Sequence, residues 1–244
     1  MSEYPYFYIV SFSLSVVIPA FNEESLIEKS LNTIISFLSK ESFNFEIIVV
    51  DDGSTDKTNE IVKTINNVQL VTLKKNRGKG FAVKTGVLES KKDFVLFMDA
   101  DHAIPIDYIL DFKTFIEDFD LVLGSKYLKQ IDNYPIYRQL LGKSFSRLKY
   151  TITGLSIKDT QCGFKLFKRH VALDLFNLSQ ISGWCFDVEI LLLAQKRGYS
   201  IKEFPVELSG ANGKSNVSII NTSIEMIIDL LKLRLKFKKG DYNL

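Results

Sequence analysis

Asp99 and Asp101 stand one residue apart in the run FMDADH (97–102), directly after an apolar stretch, DFVLFM (93–98). Two carboxylates so placed at a strand end can share one hard cation with a diphosphate. Mg2+ and Mn2+ prefer oxygen ligands and keep positions open for phosphate and water. Such a cation neutralises charge building on a leaving diphosphate. A second acidic pair, Asp51-Asp52, also follows an apolar run, FEIIVV (45–50), and opens the segment DDGSTD. Ser54 and Asp56 suit a turn or a helix N-terminus. Two adjacent acids at a strand end fit that role poorly, and either can accept from a base N–H or ribose hydroxyls. A third segment, KKNRGKG (74–80), sets Arg77 and Lys79 among glycines ahead of a helix. Backbone amides and side-chain cations there can hold an anion. The segment is not GxxxxGK[ST], and no GxGxxG follows the first strand, which disfavours P-loop and dinucleotide-binding readings.

The elements that must position these groups alternate. Strands are expected at Ser13–Ile18, Phe45–Val50, Gln69–Leu73 and Asp93–Met98. Helices are expected at Glu23–Ser39, Lys57–Ile65 and Gly80–Ser90. Continuous apolar strands between amphipathic helices imply a mostly parallel sheet covered on both faces, an α/β fold. Ligands of such sheets sit at the carboxyl ends of the strands. Asn22-Glu23, Asp51-Asp52 and Asp99–Asp101 all fall there. The second half predicts strands at Asp120–Ser125 and Ile201–Leu208, and a loop with a short strand over Asp159–Phe167. Helices are expected at Tyr137–Thr153, Asp187–Arg197 and Asn221–Lys239. With no repeat or low-complexity linker, residues 1–244 read as one domain. It divides into a donor half (13–125), an acceptor half (126–215) and a C-terminal helix with a basic tail (216–244).

The chain holds 31 basic and 29 acidic residues, a net charge of +2, which argues against a general nucleic-acid binder. Cys162 and Cys185 form no metal or disulfide pattern and suit a reducing compartment. No residue from Tyr4 to Phe21 is charged, but serines, prolines and β-branched residues there argue against a membrane span. The expected location is cytoplasmic, peripheral on a membrane.

VVIPAFNEE (16–24), VVDDGSTD (49–56), NRGKG (76–80) and FMDADH (97–102) occur in an order that resembles the inverting family 2 glycosyltransferases of the GT-A fold. DTQCGFKLF (159–167) and WCFDVEILLLAQ (184–195) resemble the dolichyl-phosphate glucosyltransferase branch, near the polyprenyl-phosphate mannosyltransferases. The resemblance spans about residues 13 to 235. It implies that Pro19, Ala20, Phe21 and Glu23 line the nucleotide, with Asp51 and Asp52 at the uridine end. Lys79 and Ala100 would lie near the donor, Asp99 on the sugar side, and Asp101 on the metal with Asp99. Gln161, Gly163 and Trp184 belong to the sugar and acceptor loops. Arg138 and Lys126 are the candidate phosphate-binding cations. Lys126 stands where many relatives carry arginine and loses bidentate geometry.

What the resemblance implies is transfer from a nucleotide sugar, UDP-glucose above all, to a polyprenyl phosphate, by one inverting displacement. A phosphate acceptor is already anionic and needs cations more than a base. A hydroxyl acceptor, on a glycan, needs a carboxylate base, for which Asp187 is the candidate. The same motifs are compatible with transfer of mannose from GDP-mannose and with an inactive nucleotide-sugar scaffold. The last helix carries one apolar stripe, Ile220, Ile224, Ile227, Leu231 and Leu235, and ends in KLRLKFKKG. The stripe is expected to face inward and the basic end to meet anionic headgroups.

Overall fold

The computed structural model describes residues 12–128, 136–209 and 219–242, with the side chains of 136–143 and 219–224 outside that description. In chain order the elements are β1 (Ser13–Ala20), α1 (Ile27–Lys40), β2 (Asn44–Asp51), α2 (Thr58–Thr64), β3 (Val68–Thr72), α3 (Lys79–Glu89) and β4 (Phe94–Met98). Then follow α4 (Tyr108–Phe115), β5 (Leu121–Ser125), α5 (Ile136–Thr153), β6 (Phe164–Lys168), α6 (Arg169–Leu178), α7 (Phe186–Lys196), β7 (Ile201–Pro205) and α8 (Ile219–Lys239).

The strands form one sheet in the order β3-β2-β1-β4-β6-β5-β7. Neighbours pair in parallel except at β6, which runs antiparallel to both β4 and β5. In β1, Leu14 to Ile18 are all buried, which demands an apolar run rather than alternation. One core lies against α1 and α4, where Ile27, Leu31, Ile34 and Leu38 recur at helical spacing. The opposite core lies against α3, α6, α7 and α8. α7 is buried all round from Phe186 to Ala194, so its acids Asp187 and Glu189 are carried into the interior.

Two helices were not expected. α4 spans eight residues, and α6 begins at the residue after β6 ends, with no turn residue between them. The orientation of α8 also differs from expectation. Among its described side chains Leu230 and Leu233 are the buried ones, with Phe237 packed beside them, while Ile220 and Ile224 of the expected stripe lie outside that description. Ile227, Leu231 and Leu235, expected to face inward, are 39%, 49% and 56% exposed. The segment LLKLRLKF holds two apolar rows at helical spacing, and periodicity cannot tell which row meets the protein. Among the described residues no helix is long and apolar enough to cross a membrane.

Candidate active site

The ends of β1 and β2 are laced together by their own motif residues. Asn22 adopts a left-handed conformation (φ 57°), and its side-chain oxygen accepts from the Thr55 amide at 2.8 Å. The Asn22 amide donates to Ser54 Oγ at 2.9 Å and the Glu23 amide to Thr58 Oγ1 at 2.7 Å. The Glu24 amide donates to Asp56, and Glu24 accepts from the Lys57 amide. Asn22, Glu24, Ser54, Asp56 and Thr58 therefore build the site's floor and satisfy backbone groups that strand ends leave open.

Asp51 and Asp52 are 1% and 3% exposed. Asp51 accepts from the Ser54 amide at 2.9 Å and from Asn59 Nδ2 at 2.7 Å. Asp52 accepts the amides of Arg77 at 2.7 Å and Gly78 at 2.8 Å, one on each oxygen. Burial outweighs these bonds and raises the Asp52 carboxyl above the usual range. Each carboxylate oxygen keeps a second lone pair for a ligand donor. Asp52 thus also shapes the 76–80 loop. Gly78 there has φ 97°, and a Cβ on it would stand 2.5 Å from the Ser182 carbonyl oxygen.

The loop delivers Lys79 to the end of β4, where its Nζ lies 2.7 Å from Asp99 Oδ1. Burial is the largest influence and opposes the Asp99 charge, but Lys79, Lys165 and Lys126 together hold the carboxyl below its ordinary value. The Trp184 ring sits 4.9 Å from the same ammonium. Behind them, Lys165 Nζ lies 2.6 Å from Asp187 Oδ1 and 2.5 Å from the Cys162 carbonyl oxygen. Lys165 and Asp187 are each 2% exposed. Sequence reasoning places Asp187 at the site and overlooks its partner. The available signal is a lysine in the apolar strand FKLFK, at a position where its neighbour two residues on, Phe167, is core.

Glu23, Asp99 and Asp101 crowd the same rim. Burial, then the charges of Asp101 and Asp99, lift the Glu23 carboxyl to about 7. Burial and Asp99 raise that of Asp101. Carboxylates crowded in this way are an oxygen donor set suited to a hard cation. Among the described residues no group of three or more His, Cys, Asp or Glu side chains could hold a metal alone. A cation here fits as one shared with a ligand's phosphates. His102 is half-buried, and its Nε2 accepts from the Ile106 amide at 3.1 Å.

On the far side, Lys126 is pinned. Its ammonium lies 3.1 Å from Asp159 with 14% of the side chain exposed, and its amide donates to the same carboxylate. The Arg138 side chain lies outside the described residues. Gln161 Nε2 and Ser125 Oγ are buried with no hydrogen-bond partner among the described residues. Both stand at the rim where β5 ends and β6 begins. Of the remaining expected nucleotide contacts, Phe21 is 43% exposed, Pro19 is half-buried, and Ala20 and Ala100 are buried.

The family model described as glycosyl transferase family 2 matches residues 15–176. A dolichyl-phosphate beta-glucosyltransferase of Dictyostelium discoideum is 38% identical over 93% of this chain and 75% of its own length. The human protein of the same name is 33% identical over 95% and 78%. Among solved structures, glucosyl-3-phosphoglycerate synthase from Mycobacterium tuberculosis in complex with uridine diphosphate shares the fold. Its TM-score is 0.70 at 21% identity, over 91% of this chain and 80% of that one.

Proposed function

The chain belongs to glycosyl transferase family 2, and from that premise we propose that it transfers glucose from UDP-glucose to a polyprenyl phosphate of the dolichyl type, with inversion. In one displacement an acceptor phosphate oxygen bonds the anomeric carbon as the bond to UDP breaks. The product is a β-linked lipid-phosphate glucose.

The observation that carries the acceptor class is the ion pair between Asp187 and Lys165. A hydroxyl acceptor needs a base within hydrogen-bond reach. The carboxylate expected to serve as that base, Asp187, is buried and ion-paired to Lys165 at 2.6 Å. A phosphate acceptor needs no such base. Charge balance also suits an anionic donor beside an anionic acceptor. Lys79 would face the diphosphate, and Arg138 would receive the acceptor phosphate, since Lys126 is already committed to Asp159. Asp52 and Asp51 would hold the uridine end, with Pro19, Ala20, Phe21 and Ala100 lining it. Gln161 would donate to a sugar hydroxyl, and Trp184 would cover the sugar.

Mn2+ accompanies UDP in a complex of the Mycobacterium tuberculosis synthase. In this chain Asp101 and Asp99 would hold Mg2+ or Mn2+, which supplies charge neutralisation on the departing UDP. The isoprenoid tail keeps the reaction at a membrane, and we place the enzyme peripherally on its cytoplasmic face. The outward apolar row of α8, flanked by Lys232, Arg234, Lys238 and Lys239, supports contact with that surface. Two buried free cysteines are consistent with the reducing side.

The test is a donor screen. Purified protein receives labelled UDP-glucose or GDP-mannose with polyprenyl phosphate in detergent, and label is followed into the organic phase. UDP-glucose should label the lipid, and Arg138→Ala should reduce transfer roughly ten- to a hundredfold, the loss of one charge-assisted hydrogen bond. Label reaching a soluble glycan but never the lipid would overturn the reading.

A further inference from the structure

Glu189 is 0% exposed, and its partners are neutral donors. Its Oε1 accepts the Gln180 amide at 3.0 Å and the Tyr242 hydroxyl at 2.5 Å, and its Oε2 accepts the Ile181 amide at 3.0 Å. The nearby ammonium of Lys84 bonds instead to the carbonyl oxygens of Ser179, at 2.8 Å, and Asn177. A buried carboxylate held this way is costly unless every bond is made. For simple packing of α7 an apolar side chain would serve better.

What the carboxylate holds is the segment between α6 and α7, and that segment lies against the loop carrying Lys79. The Phe81 amide donates to the Ser182 carbonyl at 3.2 Å. A Cβ on Gly80 would stand 2.6 Å from the Ile181 carbonyl oxygen, as one on Gly78 would meet that of Ser182. No gap separates the two segments, so a shift in one is transmitted to the other. The outer side of the same segment is gripped by the C-terminal tail. Lys236 Nζ donates to Gln180 Oε1 at 2.7 Å, and Gln180 Nε2 donates to the Asp241 carbonyl at 3.3 Å. Tyr242 itself is anchored by stacking on Phe237, with ring centroids 4.5 Å apart.

We propose that Glu189 is a positioning residue of the donor site, and that through Tyr242 it makes the C-terminal tail part of the machinery that sets the Lys79 loop. The chain of contact runs Tyr242, Glu189, residues 180–182, Gly78–Phe81, and from there to Asp52 and Lys79. The proposal rests on the reading of that loop as the nucleotide-sugar site. It adds that loop geometry, and so donor affinity, depends on a residue three positions beyond the end of α8 at Lys239.

The experiment uses the full chain and two readouts. Calorimetry with UDP and Mn2+ measures donor-site affinity, and steady-state kinetics separate the KM for UDP-glucose, the KM for polyprenyl phosphate and kcat. Tyr242→Phe removes one hydroxyl and keeps the ring on Phe237. It should weaken UDP binding and raise the donor KM about three- to tenfold, the scale of one lost hydrogen bond, with acceptor KM and kcat within about twofold. Glu189→Gln turns an amide group toward the Ile181 or Gln180 N–H and should show the same split more strongly. Glu189→Asp, which keeps the charge, should fall between Gln and wild type. Unchanged UDP affinity in both Tyr242→Phe and Glu189→Gln overturns the proposal, as does an even loss across both KM values and kcat. Weakened UDP binding in a protein that glucosylates no lipid would keep the positioning role and reject the acceptor assignment instead.

Discussion

Gly163 is the reason Asp99 can sit where it does: a Cβ on that glycine would fall inside the Asp99 carboxylate. The two are also backbone neighbours across β4 and β6, the Asp99 amide donating to the Gly163 carbonyl at 3.1 Å. Gly163→Ala should therefore displace the carboxylate and break its pairing with Lys79. Turnover is expected to fall by about a hundredfold or more, the scale of lost electrostatic positioning at a reacting centre. The folded state should persist, because the strain is confined to a strand end. Near-wild-type kcat in a folded Gly163→Ala protein would show that Asp99 has no fixed place in the chemistry.

Asp101 is half-buried at the rim and contributes no core packing. Asp101→Ala should leave the melting temperature nearly unchanged and abolish transfer. Chelator should silence the wild type, and Mg2+ or Mn2+ should restore it. Activity of the wild type that survives chelation would remove the metal from the scheme.

Lys149 offers a pH test away from the site. It is 1% exposed, and its ammonium is held by the Ile157 carbonyl. Burial, opposed by Glu203 and Asp159, lowers it to about 8 from the ordinary 10.5. Between those values the unfolded chain binds more protons than the folded one, so stability should rise with pH from about 8 upward and level off near 10.5. The gain attributable to this lysine is at most about 3 kcal/mol. Lys149→Met should be the more stable protein below pH 8, and the difference should close as pH rises. Denaturant melts at pH 7.5 and 9.5 check it; a constant difference would contradict the assignment.

The outward row of α8 predicts that Leu231→Glu with Leu235→Glu will leave thermal stability intact, since both residues are about half exposed. Flotation with vesicles containing anionic lipid should fall by about tenfold or more, as two apolar contacts are lost and two repelled charges gained. Raising salt should weaken wild-type binding in the same assay. Flotation equal to wild type would mean that the row serves something other than lipid.

Much of the donor half was legible because its signals are local. Unbroken apolar runs such as FEIIVV require a covered sheet, and acids at their ends mark its active rim. Spacing makes Asp51 and Asp52 candidates for a site, but it does not show that Asp52 grips the amides of Arg77 and Gly78, a bond across 25 residues. Lys165 and Glu189 escape sequence reasoning for a related reason. Each lies in an otherwise apolar segment, where composition argues for core and only the partner in space reveals a role. The facing of α8 went wrong because two apolar rows compete on one helix, and the choice between them is made by the core that receives Leu230 and Leu233.

The reversal of β6 has an architectural consequence. β5 ends at Ser125 on the rim that carries Asp99, and β6, running the other way, starts at Phe164 on that same rim. The intervening 126–163 segment, with α5, thus departs from and returns to one edge, like a drawer whose two runners are fixed to a single frame. Short of Asp159, Gln161 and Gly163, which the site itself uses, its length and content can change without altering the register of any strand. A chimaera that exchanges this drawer between related enzymes should keep the donor and take a new acceptor.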